Sequence, residues 1–590
     1  MIMKKIGYLL ILFVLLQACK RRTETGNTTV VDANAVKTFE AYREQFVDNL
    51  WQMYPGWATG VGYHKYDSVL LIPDAKQRAV ELAFADSVDA ALSAISFDKL
   101  DANCKTDYRL IQNFTRGIRF SINEFKSYEW DPSNYNIGGA LFDVIDYKQA
   151  KLDDKLRALT AKLANAPAYY KAAKANINKP TLEHTQLAIM QNEGSLYFFN
   201  SVFPDSLKAS GLTVAEKEAF NARALAAKNA MLGYVDWLKK TYPENNKTVF
   251  RSFRIGEELY GKKFLLDVDS RYTANEMYAK AEERKAYLHT EMARIAAELW
   301  PKYFGTEPMP GDDKSLERIK RLIDTISVQH CKRDEYMATI EKQLPELTAF
   351  INAHQLIDLD STKPLKVRKT PDYAAGVAGA SINSPGPYDK DAVTYYNVTP
   401  LTNYSDKDAE SYLREYNNYV LQILNIHEAI PGHYTQGIYA NRSPSVIKTI
   451  LGNGATIEGW ACYVERMMIE EGYNPSPEMT LFYYKWNLRE TCNFLLDYNV
   501  HCKGWDKETA INFLTQQAFQ QAKEASEKWR RAQLTQVQLT SYFTGLTEIY
   551  ELREEVKKQK GSGFNLKTFH EQFLSYGSAP VKEIRELMHQ

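Results

Sequence analysis

Apolar residues recur three and four positions apart through most of this 590-residue chain. That spacing sets them on one face of an α-helix and obliges the face to be buried against another element. The pattern covers 38–53, 75–94, 150–176, 214–240, 274–299, 315–344, 410–430, 455–471, 476–498, 507–531 and 539–558. Strand-like alternation is confined to short stretches, 392–398 and 261–265 being the clearest. No repeat of 20 to 50 residues is present. The expected fold is therefore mainly α, a large multi-helix body with a minor β element. The Pro- and Gly-containing region 364–387 reads as a long loop of the kind that often carries function.

The first residues are of a different kind. Lys4 and Lys5 precede an apolar run, 6–16, too short to span a bilayer. The run ends in Leu16-Gln17-Ala18-Cys19, which looks like a bacterial lipobox, cleaved before a Cys that becomes diacylated. Residues 1–18 are then a lipoprotein signal peptide, Cys19 the lipidation site and 19–35 a polar tether. The remaining 36–590 form a helical domain, divisible into two lobes at about 36–250 and 251–590. No other stretch approaches a membrane span, so the expected location is the bacterial cell envelope, with membrane contact through the lipid only. The five other Cys are too few and too scattered for a disulfide scaffold. They read as buried thiols, with a disulfide between two of them left open. With 73 basic and 73 acidic residues the chain carries no net charge, and so no electrostatic footprint for nucleic acid.

One segment carries chemistry: Asn425-Ile426-His427-Glu428-Ala429-Ile430-Pro431-Gly432-His433. Leu413, Tyr416, Val420, Leu424 and His427 form one helical stripe, which carries His427 and Glu428 inward. A buried carboxylate beside a buried imidazole is costly unless a charge compensates it, and a divalent metal would. In an HExxH motif two His stand one turn apart on a helix and bind zinc. Here the second His is six residues on, about 120° off the first on an unbroken helix. Pro431 cannot donate to the carbonyl of His427, and Gly432 accepts almost any turn. The helix is therefore expected to break there and to swing His433 back to the metal. A catalytic zinc needs a third protein ligand. Glu458, which follows the turn Gly452-Asn453-Gly454, is the best candidate, with Gly459 permitting a close helix approach. As a bland alternative, Glu458 is a helix N-terminal carboxylate stabilised by the dipole. Glu465, two turns on, is placed to orient a ligand His.

These residues resemble the bacterial "domain of unknown function 885" family, a group with the look of gluzincin metallopeptidases. The resemblance rests on the 427–433 segment and on Glu458-Gly459-Trp460-Ala461 with Tyr463, Glu465 and Arg466. It extends to Arg489, Asp497, His501-Cys502-Lys503-Gly504-Trp505, the Phe253–Tyr260 segment and Phe569-His570-Glu571, and so covers nearly the whole mature chain. The resemblance implies a gluzincin-like helical architecture and a zinc-dependent peptidase: one Zn²⁺ on His427, His433 and Glu458, with Glu428 as general base and a short peptide as substrate. By resemblance and residue type, His501 and Tyr542 are candidates for oxyanion stabilisation, with Arg531 as an anchor for a peptide carboxylate and Gln538 as a substrate contact. Each of these also has a structural reading, as has His570. Two departures stand out. The family's Pro-Gly turn is replaced by Gln536-Val537, and Tyr434 stands where many relatives carry another His. The alternatives are a non-catalytic peptide- or glycan-binding lipoprotein, a hydrolase of another amide bond, and a degenerate enzyme without metal. An intact set of His427, Glu428, His433 and Glu458 separates the peptidase from a binder, which needs no general base.

Overall fold

The computed structural model describes residues 31–370, 379–389 and 392–589. The signal peptide, Cys19 and most of the tether lie outside the described residues. Residues 33–35, read as tether, already belong to the first helix, Ala33–Met53, because the Asp32 carboxylate accepts from the Asn34 N–H and starts it. The body is mainly helical, with a small three-stranded sheet. No helix among the described residues is long and apolar enough to cross a membrane.

Several apolar runs are interrupted where a capping or turn residue overrides the periodicity. The run 150–176 is two helices, Leu152–Ala164 and Ala166–Asn176, with Pro167 in the first turn of the second, where its missing N–H costs nothing. The run 315–344 divides into Ser315–Ile326 and Tyr336–His354. The run 507–531 divides into Lys507–Gln516 and Ala522–Leu534, with Phe519 between them at φ 53°. The run 410–430 is also two helices, Asp406–Glu415 and Val420–Glu428. Asn417 Oδ1 starts the second by accepting from the N–H groups of Tyr419 and Val420. All five residues of the expected stripe are buried, but Leu413 lies on the first helix, Tyr416 caps its end, and Val420, Leu424 and His427 lie on the second. The alternation at 261–265 proves helical, within Gly256–Asp267, because Tyr260 and Phe264 bury one turn apart.

The sheet comprises β1 (Leu365–Lys369), β2 (Ala380–Asn383) and β3 (Thr394–Val398), in the order β1-β3-β2. β3 pairs parallel to β1 and antiparallel to β2. Strand therefore occupies much of what reads as loop in 364–387. Among the described residues β2 stands at the end of the sheet, and Ala380, Ser381 and Ile382 line the cavity described below.

Two hydrophobic cores form. The smaller is built from residues between Tyr135 and Leu238, including Tyr170, Phe220 and Tyr234. The larger joins residues of 39–118 to those of 253–588. A division at 250 is thus not the division of the core: the first helices pack with the C-terminal half, and the small core is an insertion between them. Inside the large core the helices Gly454–Glu470 and Ser541–Lys560 cross with Gly459 against Gly545. A methyl group on Gly545 would overlap the Ala455 carbonyl, and one on Gly459 would overlap the Gly545 backbone. This is the close helix approach expected at Gly459. The five described cysteines are free.

Candidate metal centre

The helix Val420–Glu428 is anchored by Asn425, which accepts from the Tyr396 hydroxyl at 2.8 Å and donates to Gln343 at 2.6 Å. β3 thus fixes the helix that carries His427. The helix then stops. Ala429 and Ile430 both donate to the Asn425 carbonyl, at 3.0 and 3.2 Å, and Pro431 has no N–H to give. Gly432 passes so close to the carbonyls of Ile426 and His427 that any Cβ there would overlap them. The Trp460 indole donates to the Pro431 carbonyl at 3.0 Å and pins the turn. A new helix begins at His433 and runs to Ala440. The axis therefore changes between the two histidines, and His433 faces His427 instead of standing off to one side.

Both imidazoles converge on Glu458, from the first turns of Gly454–Glu470. His427 Nε2 lies 3.6 Å and His433 Nε2 3.5 Å from Glu458 Oε2, and all three atoms lie within 4.8 Å of one another. Tetrahedral zinc with bonds of about 2.0–2.1 Å holds its ligand atoms roughly 3.4 Å apart. The donor set and its spacing therefore fit that ion. The electrostatics agree. Burial works against a charge on His427, but the carboxylates of Glu458, Glu428 and Glu490 outweigh it and raise its pKa. Burial likewise works against a charge on Glu458, yet His427 and His433 hold it well below the usual carboxylate range. A cation bound between the three would supply the counter-charge to this carboxylate.

The outer partners are also in place. His427 Nδ1 donates to Glu465 Oε1 at 2.6 Å, which leaves Nε2 free to ligate. Glu465 Oε1 accepts a second bond from the Trp486 indole at 2.9 Å. Glu465 Oε2 and Glu490 Oε1 meet no donor from another residue. Burial pushes Glu465 well above its usual range, and burial with the neighbouring Glu465 pushes Glu490 to about 8. His433 Nδ1 donates to Gln436 Oε1 at 3.4 Å, and Gln436 in turn donates to the Thr456 carbonyl. Glu490 and Gln436 escape sequence reasoning. Gln436 alone leaves a signal there, a Gln three residues after a ligand His.

Beside the three ligand atoms is a cavity of about 500 Å³. Glu428, Tyr542 and Arg531 line it together with β2, Trp486, Arg489 and Lys528. The Tyr542 ring lies 6.4 Å from that of His427, near-parallel to it. Arg531 Nη2 donates to Tyr542 Oη at 3.0 Å and to Gln538 Oε1 at 2.8 Å. Gln538 is thus a support for Arg531 and not part of the cavity wall. The lost Pro-Gly turn is nevertheless kept: Val537 occupies the left-handed region at φ 71°, costly for a β-branched residue. Its N–H donates to Asp497 at 2.8 Å and its carbonyl accepts from Thr540, so the surrounding bonds impose the conformation.

His501 is not brought to the site. Its Nε2 donates to the carbonyls of Ala532 and Thr535, both at 2.9 Å, and so secures the end of Ala522–Leu534. A second imidazole, His184, donates to the Leu534 carbonyl nearby at 3.1 Å. The expected oxyanion role of His501 is therefore replaced by a structural one, because its donor is spent on the backbone. Tyr434 donates to the Lys363 carbonyl at 2.6 Å, away from the ligand atoms.

His570 is structural too. It donates from Nδ1 to the Leu356 carbonyl and accepts the Tyr463 hydroxyl at Nε2, both at 2.8 Å. Burial, chiefly, pushes its pKa down from 6.5 to about 4. The unfolded chain takes up this proton as pH falls through about 6.5, the folded chain only near 4. Stability is therefore present above that window and is lost on acidification through it, by about 3 kcal/mol at its foot. His570→Gln keeps a donor and an acceptor without the titration. Its thermal midpoint should fall less between pH 7 and 5 than that of the wild type, and superimposable profiles would remove His570 as the cause.

A family model described as bacterial protein of unknown function (DUF885) matches residues 55–588. A solved protein from Shewanella oneidensis, provisionally described as a lipoprotein of unknown function, is 50% identical to this chain. It superposes with a TM-score of 0.84 over 94% of this chain and 100% of its own. A protein from Colwellia psychrerythraea, also provisionally described as a lipoprotein, shares the fold at 16% identity, with a TM-score of 0.75 over 94% of this chain and 98% of its own. No curated protein matches the chain.

Proposed function

The chain belongs to the DUF885 family of bacterial proteins, and on that premise we propose that it is a zinc-dependent peptidase of short peptides, tethered to the cell envelope by a lipid on Cys19. The observation that carries this reading is the convergence of His427 Nε2 and His433 Nε2 on Glu458 Oε2 at 3.6 and 3.5 Å. Glu428 faces the same cavity. The lipoprotein description of two similar structures supports the anchor.

His427, His433 and Glu458 would hold the zinc. Bound there, zinc supplies Lewis-acid polarisation of a carbonyl and lowers the pKa of water towards 7. Glu428 takes a proton from the attacking water and returns it to the amine nitrogen as the C–N bond breaks. Glu465 keeps the His427 ring in its Nδ1–H tautomer throughout. Tyr542 lines the cavity near His427 with a hydroxyl already bonded to Arg531, and it is placed to donate to the carbonyl oxygen as negative charge develops. Among the described residues β2 ends the sheet and lines the cavity, which favours an extended peptide over an isolated amide.

The test is the zinc content of the purified protein beside cleavage of a peptide library. One zinc per chain and defined peptide products are expected. Glu458→Gln should weaken zinc binding by at least about tenfold. A wild-type protein that takes up no zinc, or that holds zinc and cleaves no peptide, ends the peptidase reading.

A further inference from the structure

Helix Ala522–Leu534 presents Glu524, Lys528 and Arg531 to the cavity at i, i+4 and i+7, on one face. Their partners are unequal. Glu524 Oε1 already accepts from Arg489 Nε at 3.0 Å and Nη2 at 2.6 Å, and Arg489 lies over the Trp486 ring. Lys528 is 5% exposed, and its Nζ lies 3.6 Å from that same oxygen, beyond a hydrogen bond. Arg531 bonds only the neutral oxygens of Gln538 and Tyr542. Among the described residues no carboxylate comes within ion-pair distance of it: Glu458 is engaged with the two histidines, and Glu527 pairs with Lys523. Glu428, Glu458, Glu490 and Glu527 line the cavity as well, but among the described residues only Glu524 pairs with this basic wall, through Arg489 and Lys528. Lys528 is buried with that shared oxygen as its one ion pair among the described residues, and the part-buried Arg531 meets neutral acceptors, so this wall can take an anion. The planar guanidinium fork matches a carboxylate. Arg531 also reaches Tyr542, whose ring neighbours that of His427, so the anion sits close to the reacting bond.

We infer that Arg531 and Lys528 hold the terminal α-carboxylate of the substrate, so that the peptide enters with its C-terminal end beside the metal and is shortened from that end. The inference rests on the peptidase reading above and adds the polarity of the substrate and the exopeptidase outcome.

Three probes test it on the zinc-loaded full chain: a short alanine peptide with a free C-terminus, its C-terminal amide, and an amide ending in Glu. Binding is read by calorimetry on Glu428→Gln, which prevents turnover, and the cleavage position by mass spectrometry on the wild type. The free acid should bind about tenfold or more tighter than either amide, and cleavage should start at its C-terminal end. Adding Arg531→Gln should bring the free acid to the level of the amides. Arg531→Lys should restore part of the difference, and Lys528→Met provides the same comparison should Arg531→Gln not fold. Equal binding of free acid and amide, no binding of any probe, or discrimination that survives both Arg531→Gln and Lys528→Met overturns the inference. A Glu-ended amide as tight as the free acid would reassign the wall to a side-chain carboxylate. If the free acid is preferred in binding but the wild type cleaves nothing, the peptidase reading falls and the carboxylate site stands.

Discussion

Glu428→Gln is expected to keep its zinc and to lose peptide hydrolysis by a factor of about 10² to 10⁴, the usual contribution of a positioned general base. The substitution keeps size and shape, so the fold has no reason to change. The proposed metal ligands lie elsewhere: Glu428 sits on the cavity wall beside the convergence of His427, His433 and Glu458, not within it. Its carboxylate is the group there free to accept a proton, since Glu458 is committed to two imidazoles and Glu465 to His427 and Trp486. An amide can hydrogen-bond to water but cannot take up its proton at neutral pH. The loss should therefore appear in kcat with little change in KM. The measurement is steady-state cleavage by wild type and variant at equal zinc occupancy. Equal kcat values would remove Glu428 from the chemistry.

The second large effect is expected far from any charge. Gly432→Ala should lower zinc affinity on the order of 100-fold and destabilise the fold by about 3 kcal/mol. No rotamer relieves the added methyl, because it would overlap the carbonyl oxygens of Ile426 and His427, which are backbone atoms of the ligand helix itself. Either that helix or the start of His433–Ala440 must move, and the two ligand histidines are carried one on each. A zinc titration against a competing chelator reads the affinity, and urea denaturation of the metal-free protein reads the stability. A variant with wild-type zinc affinity would show that the ligands do not depend on this close approach.

The 427–433 segment was legible because its residue types are rare in combination and a Pro-Gly pair admits few backbone paths. Glu458 and Glu465 were legible because helical spacing converts sequence distance into direction. His501 and Gln538 were misplaced for one reason: both are polar residues near the site in sequence pattern, and the choice between cavity and backbone depends on which carbonyl or guanidinium lies opposite. Ala532, Thr535 and Arg531 settle it. The turn at Val537 shows the converse. Loss of the expected Gly argued for a changed backbone, but Asp497 and Thr540 hold the left-handed conformation on a residue that resists it.

By itself, then, the sequence determined that the chain is a mainly helical body, that His427, Glu428, His433 and Glu458 belong together, and that Gly459 marks a close helix crossing. These follow from local periodicity, residue chemistry and backbone freedom, all of which act over a few residues. The tertiary structure alone decided that the first helices share a core with the last, that β2 lines the cavity beside His427, His433 and Glu458, and that Glu490 lies beside Glu465. It alone also decided that Lys528 and Arg531 face the cavity, one sharing Glu524 with Arg489 and the other bonded to neutral oxygens. Such facts depend on contacts between residues tens to hundreds of positions apart, where burial and charge are set by the whole chain and no local pattern records them.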